Sequence, residues 1–134
     1  MSDLSPGLSA ELNHVVTDDD TAARWGSGLV PVFSTPALVG LLEAAAVKAL
    51  AGQFATGQTT VGGHIDVRHL AATPVGMTVR ARAELTGVEG RILTFQVEAW
   101  DDVERIGQGL HERVVIDTQK FLSRVGAKKK GAFK

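Results

Sequence analysis

The sequence contains no cysteine, which excludes disulfide bonds, thiolate metal sites and cysteine nucleophiles. It also has little charge imbalance, because 14 Lys and Arg residues against 15 Asp and Glu residues give a net charge of −1. A basic surface for nucleic acid is therefore not expected. The first nine residues include no apolar run, so we expect no signal or transit peptide. These absences are consistent with a cytoplasmic protein that binds neither nucleic acid nor membrane.

A chain of 134 residues is long enough to form a single domain with its own core. We expect one domain spanning residues 1–134, with disordered tails at residues 1–9 and 126–134. The basic residues near the end are predicted to form a solvated tail; they are Arg124, Lys128, Lys129, Lys130 and Lys134.

The stretch from Phe33 to Gly52, F-S-T-P-A-L-V-G-L-L-E-A-A-A-V-K-A-L-A-G, predicts the central helix. Thr35 is predicted as its N-cap, Pro36 as its first helical residue and Gly52 as its left-handed C-cap. The composition between these ends predicts a helix that is buried on most of its surface, and the stretch is too short to span a bilayer. A carboxylate in such a helix is costly to desolvate, so Glu43 needs a partner or a function.

Strand patterns surround this helix. A first edge strand is predicted at residues 10–16, and four runs with period two follow the helix, at residues 61–69, 78–86, 91–101 and 105–117. In the first of these runs His69 shares a face with Val61, Ile65 and Val67, so it should point toward the helix. In the last run the alternation places His111, Arg113 and Val115 on the outer face, unless a bulge at Gly107 or Gly109 shifts it.

A strand, a buried helix and four antiparallel strands predict an α+β domain, in the element order of a hotdog fold, with a long central helix wrapped by a curved antiparallel sheet. A short helical turn is predicted at residues 21–25 and a terminal helix at residues 118–125. Such a sheet has a long edge strand and an uncovered face, both of which a second copy of the chain can cover.

Thr35, Glu43 and His69 are the candidate catalytic residues, predicted on or beside the apolar interior. A hydroxyl, a carboxylate and an imidazole can activate water or form a covalent acyl intermediate at a carbonyl, and a helix N-terminus can stabilise an oxyanion. Each residue also has a purely structural interpretation, as a cap, a paired buried acid or a core histidine. Thr35 and Glu43 lie about 12 Å apart along an ideal helix. They can serve one substrate only if Thr35 lies off the helix axis, if a water bridges them, or if a second subunit supplies its own copy.

Four blocks of sequence resemble the fluoroacetyl-CoA thioesterase family of hotdog enzymes. They are V-F-S-T-P-A-L-V-G-L-L-E (32–43), V-R-H-L-A-A-T-P-V-G-M-T-V (67–79), A-E-L-T-G-V-E-G-R (83–91) and I-G-Q-G-L-H-E-R-V-V-I (106–116). The resemblance runs from about residue 29 to residue 121, and the intervals from threonine to glutamate and from glutamate to histidine are preserved.

The resemblance implies that Thr35, Glu43 and His69 are catalytic. Phe33 and Gly63 are candidate substrate-binding residues, and the resemblance places the family's functional glycine on Gly62 and its arginine on Arg113, also with expected roles in substrate binding. It also implies acyl-CoA thioester hydrolysis in a homodimer with its sites at the subunit interface, with CoA as part of the substrate and without metal or organic cofactor.

The family has a longer segment before the helix, with phenylalanines that form a lid over the acyl group. Here the segment from Arg24 to Pro31 is shorter and supplies only Trp25, Leu29 and Val30. We therefore expect a thioesterase for a short or medium acyl-CoA with a shortened lid. Two alternatives stay open at this point: a hotdog enoyl-CoA hydratase, and a non-enzymatic module that binds acyl-CoA or serves as a structural dimer.

Overall fold

The computed structural model describes residues 4–131. It contains five strands, β1 (Ser9–Val15), β2 (Gln58–His69), β3 (Thr78–Glu89), β4 (Ile92–Trp100) and β5 (Arg105–Asp117). It also contains three α-helices, α1 (Ala22–Trp25), α2 (Thr35–Ala49) and α3 (Thr118–Lys129), and a 3₁₀ turn at Asp18–Asp20. The predicted order of strand, central helix and four further strands is confirmed.

The strands form one antiparallel sheet in the order β1-β3-β4-β5-β2. Consecutive hairpins link β3, β4 and β5, whereas β2 crosses to the far side of β5. β1 and β2 are therefore the two edges of the sheet in a single chain, and β2 is a long edge of 12 residues. Unpaired backbone groups along such an edge can pair with another strand.

The core lies between one face of α2 and the concave face of the sheet. Strict alternation in β3 and β4 sends apolar side chains to that face, as predicted; they are Val79, Ala81, Ala83, Leu85, Leu93, Phe95, Val97 and Ala99. Opposite them, α2 buries Leu38, Leu42, Ala45, Ala46 and Ala49. The prediction that α2 is buried on most of its surface is wrong for a single chain, because Gly40, Ala44 and Val47 are exposed.

Both predicted ends of α2 need correction. Ser34, not Thr35, is the N-cap, and its hydroxyl accepts a hydrogen bond from the backbone N–H of Ala37 at 3.1 Å. Thr35 is the first helical residue. At the other end Leu50 is the C-cap, and Gly52 adopts its positive φ of 77° two residues later. The one-residue difference at the start is important because it leaves the Thr35 side chain free for another contact.

Two bulges change which side chains face α2. In β2 the pairing with β5 shifts between Gly62 and His64, so Gly63 is an extra residue and Gly62, rather than Val61, faces α2. In β5 the pairing with β4 shifts at Ile106. In β5 the alternation after Ile106 is the reverse of the predicted one. In β2 only the residues before the bulge are reversed, and His69 points toward α2 as predicted.

The shift in β5 corrects the predicted outer positions of Arg113 and Val115. Arg113 is 7% exposed and Val115 is 2% exposed, so both face the interior. His111, also assigned to the outer face, is 1% exposed. Trp100 lies on the outer face, where the exposed Arg80 guanidinium is 4.4 Å from its ring centroid.

Part of each segment predicted as a disordered tail has defined structure. Gly7 and Leu8 form backbone hydrogen bonds with Leu85, and Leu4 packs against the core. Helix α3 continues to Lys129 instead of ending at residue 125. Residues 1–3 and 132–134 of the predicted tails lie outside the described residues. Within residues 4–131, no helix is long and apolar enough to cross a bilayer.

Candidate active site

The N-terminus of α2 meets the C-terminal end of β2, and this contact joins Thr35 to His69. Because Ser34 caps the helix, the Thr35 hydroxyl is not used for capping. It shares a hydrogen bond of 2.8 Å with Nδ1 of His69. The structure therefore brings two of the three predicted catalytic residues into direct contact.

His69 lies half-buried beneath this contact. Burial lowers the pKa of its imidazole, and a polar contact with the backbone of Ala71 opposes the shift. The Nε2 atom is buried and has no hydrogen-bond partner in the described part of the chain. His69 is therefore a neutral imidazole near pH 7, with Nδ1 on the Thr35 hydroxyl.

A cavity of about 330 Å³ opens beside this pair. It is lined by Ala22, Ser27, Val32, Phe33, Ser34, Thr35, His69, Leu70, Ala71 and Ala72. Phe33 is 1% exposed, so it is a core residue that also forms part of the cavity wall. The apolar residues of the shortened lid segment, Trp25, Leu29 and Val30, are 54%, 96% and 55% exposed and are not among the lining residues.

Glu43 lies two turns further along α2, over the start of β2. Its side chain is 39% exposed, and Oε2 is 3.9 Å from Nη1 of Arg113. The carboxylate rests against the backbone of Gly62, where a Cβ atom would lie 2.7 Å from Oε2. Gly62 therefore leaves the space that the carboxylate occupies.

The Arg113 guanidinium is fixed beneath this carboxylate. Its Nε donates to the hydroxyl of Thr60 at 2.9 Å, and Nη2 donates to the Thr60 carbonyl at 3.2 Å. Burial lowers the pKa of Arg113, and the Glu43 carboxylate opposes that shift. A guanidinium stays charged in proteins, so a fixed positive charge lies beside Glu43.

Sequence reasoning missed His111, which lies beside Arg113 on β5. Nε2 of His111 is 3.2 Å from Nη1 of Arg113, and Nδ1 is 2.7 Å from the carbonyl oxygen of His64. The bulge at Ile106 explains the omission, because it turns His111 from the predicted outer face to the interior. The two glycines at 107 and 109 were the available signal for that bulge.

The structure thus forms two clusters in one chain. One contains Thr35 and His69, and the other contains Glu43, Gly62 and Arg113. No hydrogen bond or ion pair within residues 4–131 links Glu43 to either member of the first cluster. Gly63 belongs to neither cluster, because a Cβ there would point at the Val114 side chain, 3.2 Å away.

Comparison with known proteins gives the same family from sequence and from structure. The family model for the fluoroacetyl-CoA-specific thioesterase FlK matches residues 16–119. A fluoroacetyl-CoA thioesterase from Streptantibioticus cattleyicolor is 48% identical over 97 residues, which cover 72% of this chain and 70% of that protein.

Among solved structures, the fluoroacetyl-CoA thioesterase FlK superposes with a TM-score of 0.89 at 38% identity, covering 95% of this chain and 98% of the other. A Thermus thermophilus thioesterase superfamily member superposes with a TM-score of 0.90 at 30% identity, covering 97% and 96% of the two chains. A hot-dog-like protein from Thermanaerovibrio acidaminovorans gives 0.85 at 27% identity, over 92% and 91%.

These similarities confirm the hotdog fold, a curved five-stranded antiparallel sheet packed on a central helix. They extend over nearly the whole chain and agree with the four blocks of sequence that first indicated the family. The chain belongs to the fluoroacetyl-CoA-specific thioesterase family.

Proposed function

We propose that this protein hydrolyses a short or medium acyl-CoA to the free acid and CoA. The observation that carries the proposal is the 2.8 Å contact between Thr35 and His69 at the N-terminus of α2, beside an open cavity. A hydroxyl held on a neutral imidazole is the usual arrangement of an activated nucleophile. Family membership supports the same reaction, since relatives carry the name of an acyl-CoA thioesterase.

The first step forms an ester on Thr35. His69 accepts the hydroxyl proton as Thr35 Oγ1 attacks the thioester carbon, and the positive end of the α2 dipole stabilises the oxyanion. The carbon–sulfur bond then breaks, and His69 returns the proton to the departing CoA thiolate. The products of this step are the acylated Thr35 and free CoA.

The second step consumes one water molecule. Glu43 accepts a proton from that water as the water oxygen attacks the ester carbon. The bond between the ester carbon and Thr35 Oγ1 then breaks, and Oγ1 takes the proton back from Glu43. Arg113 and Gly62 hold the carboxylate in place, the first by charge and the second by leaving space. The carboxylic acid is released and the enzyme returns to its starting state.

We propose that the complete site forms between two subunits, with Thr35 and His69 from one and Glu43 from its partner. Thr35 and Glu43 are about 12 Å apart along α2, which exceeds the reach of one ester carbon. The long β2 edge and the exposed apolar surface of α2, around Gly40, Ala44 and Val47, offer the surface that a homodimer would cover.

The cavity size supports a substrate class wider than one two-carbon acyl group. A water molecule takes about 30 Å³ in the liquid, so a cavity of about 330 Å³ holds several times the volume of an acetyl group. The apolar lid side chains Trp25, Leu29 and Val30 are not among its lining residues. Acyl-CoAs with short unbranched, branched or medium chains therefore fit the wall formed by Phe33 and Val32.

A thiol-release assay with acetyl-, fluoroacetyl-, branched, aromatic and longer acyl-CoAs tests the reaction and its selectivity together. Wild-type protein is expected to release CoA thiol from at least one substrate, and Glu43→Gln to give a single burst of thiol without turnover. Thr35→Val is expected to give neither burst nor turnover. Thiol release by Glu43→Gln at the wild-type rate would contradict the role of the carboxylate.

Two controls separate the alternatives. Loss of the enoyl absorbance of crotonyl-CoA without thiol release would indicate a hydratase. Tight CoA-ester binding without turnover on the whole panel would indicate a binding module.

Mixing inactive Thr35→Val and Glu43→Gln chains tests the shared site. Random mixing should restore about one quarter of the wild-type activity, because one site in each mixed dimer is intact. No recovery in proven mixed dimers would contradict a site shared between subunits.

A further inference from the structure

His111 is a buried histidine with both ring nitrogens engaged. It is 1% exposed and lies in the interior next to Phe95, with ring centroids 6.3 Å apart. Nε2 is 3.2 Å from Nη1 of Arg113, and Nδ1 is 2.7 Å from the carbonyl oxygen of His64. Because buried polar groups are normally hydrogen-bonded, these two directional contacts fix the orientation of the ring.

These two contacts define the protonation state of the ring. The Arg113 guanidinium can only donate, so Nε2 of His111 must be the acceptor and carries no proton. The His64 carbonyl can only accept, so Nδ1 must carry the proton. His111 is therefore a neutral imidazole in the Nδ1–H form, and burial lowers its pKa in the direction that maintains this state.

The Nε2 acceptor completes the support of Arg113. Thr60 holds the Nε and Nη2 side of the guanidinium through its hydroxyl and its carbonyl. His111 holds Nη1, the nitrogen that is 3.9 Å from Oε2 of Glu43. The guanidinium plane is fixed from both ends only when the His111 acceptor is present.

We propose that His111 is a positioning residue of the hydrolytic site, a neutral Nδ1–H imidazole that aims Nη1 of Arg113 at the Glu43 carboxylate. This inference rests on the proposed function, because it gives Glu43 the role of base. In this proposal His111 acts only through Arg113. Other charges near the ring are those of Glu43 on α2 and Glu112 on β5.

Two substitutions each remove one of the two hydrogen bonds of the His111 ring and keep the other. In His111→Asn the amide nitrogen can replace Nδ1 and donate to the His64 carbonyl, but the acceptor for Arg113 is lost. In His111→Gln the amide oxygen can replace Nε2 and accept from Arg113, but the donor to His64 is lost. Each variant removes one buried hydrogen bond, so we expect similar decreases in Tm for both.

Activity should separate the two variants. The kcat of His111→Asn is expected to fall about 10- to 100-fold, the range for losing a hydrogen bond to a charged group, with KM changed less than threefold. His111→Gln should keep kcat within about threefold. A merely structural histidine would make kcat follow Tm in both variants. Equal kcat values for the two variants would overturn the proposal.

A double-mutant cycle with Arg113→Gln tests whether the effect passes through Arg113. His111→Asn should lower kcat no more than about twofold in the Arg113→Gln background. A further tenfold loss there would show that His111 acts by another route and would refute the proposal.

Nitrogen NMR of the wild-type imidazoles gives a readout independent of activity. It should show His111 as the neutral Nδ1–H form from pH 8 to pH 6, with an Nε2 resonance that moves in Arg113→Gln and in Glu43→Gln. An Nε2–H form, or titration to imidazolium near pH 6.5, would overturn the inference even if no acyl-CoA is hydrolysed. Absence of thiol release together with the expected spectra would instead refute only the proposed reaction.

Discussion

Substitution of Gly62 by alanine should impair the Glu43 carboxylate while leaving the fold intact. A Cβ atom at residue 62 would lie 2.7 Å from Oε2 of Glu43, and real Cβ contacts closer than 3.0 Å are essentially never seen. Gly62 does not have a positive φ, so alanine fits its backbone conformation. The carboxylate must therefore move by about 0.7 Å to reach the ordinary contact distance of 3.4 Å.

This movement should lower the catalytic rate and leave the stability of the fold nearly unchanged. Glu43 is the far end of a flexible side chain that is 39% exposed, so it can swing toward solvent with little strain. Replacing glycine by alanine also restricts the unfolded chain, which stabilises a protein by about 0.4–1 kcal/mol at a compatible position. We expect the free energy of unfolding to change by less than about 1 kcal/mol. Because a misplacement of about 1 Å can cost about 100-fold in rate, kcat should fall about 10- to 100-fold.

The assay combines thiol release with thermal unfolding, and Gly87→Ala is the matched control. Gly87 is also a strand glycine without positive φ, and a Cβ there would make only an ordinary contact with Thr94 at 3.7 Å. Gly87→Ala should keep both wild-type kcat and wild-type Tm or slightly higher. Full activity of Gly62→Ala would refute the placement of the carboxylate over this glycine, and so would a kcat loss of the same size in both variants.

Three further predictions follow from the same contacts. Ser34→Ala should lower the free energy of unfolding by about 1 kcal/mol through loss of the helix cap. Thr35→Val should leave stability nearly unchanged and abolish thiol release. If urea melts show instead that Thr35→Val is the destabilised variant, Thr35 is the cap. The pKa values of His69 and His111 are lowered in the folded protein, so below about pH 6.5 the unfolded chain binds more protons than the folded chain. The free energy of unfolding should therefore decrease as the pH falls through that value. A free energy of unfolding that does not change from pH 7.5 to pH 5.5 in denaturant titrations would contradict this. Gly109→Ala should destabilise by about 3 kcal/mol, because its Cβ would overlap the backbone of β2; a Tm within two degrees of wild type would be the opposing result.

Local patterns in the sequence predicted the element order, the half-buried strands β3 and β4 and the α2 helix to within a residue or two. These features depend on neighbours close in sequence, such as an apolar residue at every second position or a proline near a helix start. Thr35, Glu43 and His69 were chosen on the same basis, as polar groups within otherwise apolar elements. The contact between Thr35 and His69 agrees with that choice, while their catalytic roles stay predictions.

Bulges, capping and pairing between distant elements were decided only by the tertiary structure. The period-two pattern of β5 cannot show where an extra residue enters, so the inward positions of Arg113 and His111 emerged only from its register against β4. The sequence does not distinguish Ser34 from Thr35 as a helix cap. Packing against β2 decides that Ser34 caps α2 and that Thr35 contacts His69. The sequence by itself determined which side chains offer a hydroxyl, a carboxylate or an imidazole, because side-chain chemistry is local. The tertiary structure decided which of them meet, because strand register and helix placement depend on contacts between residues far apart in the chain.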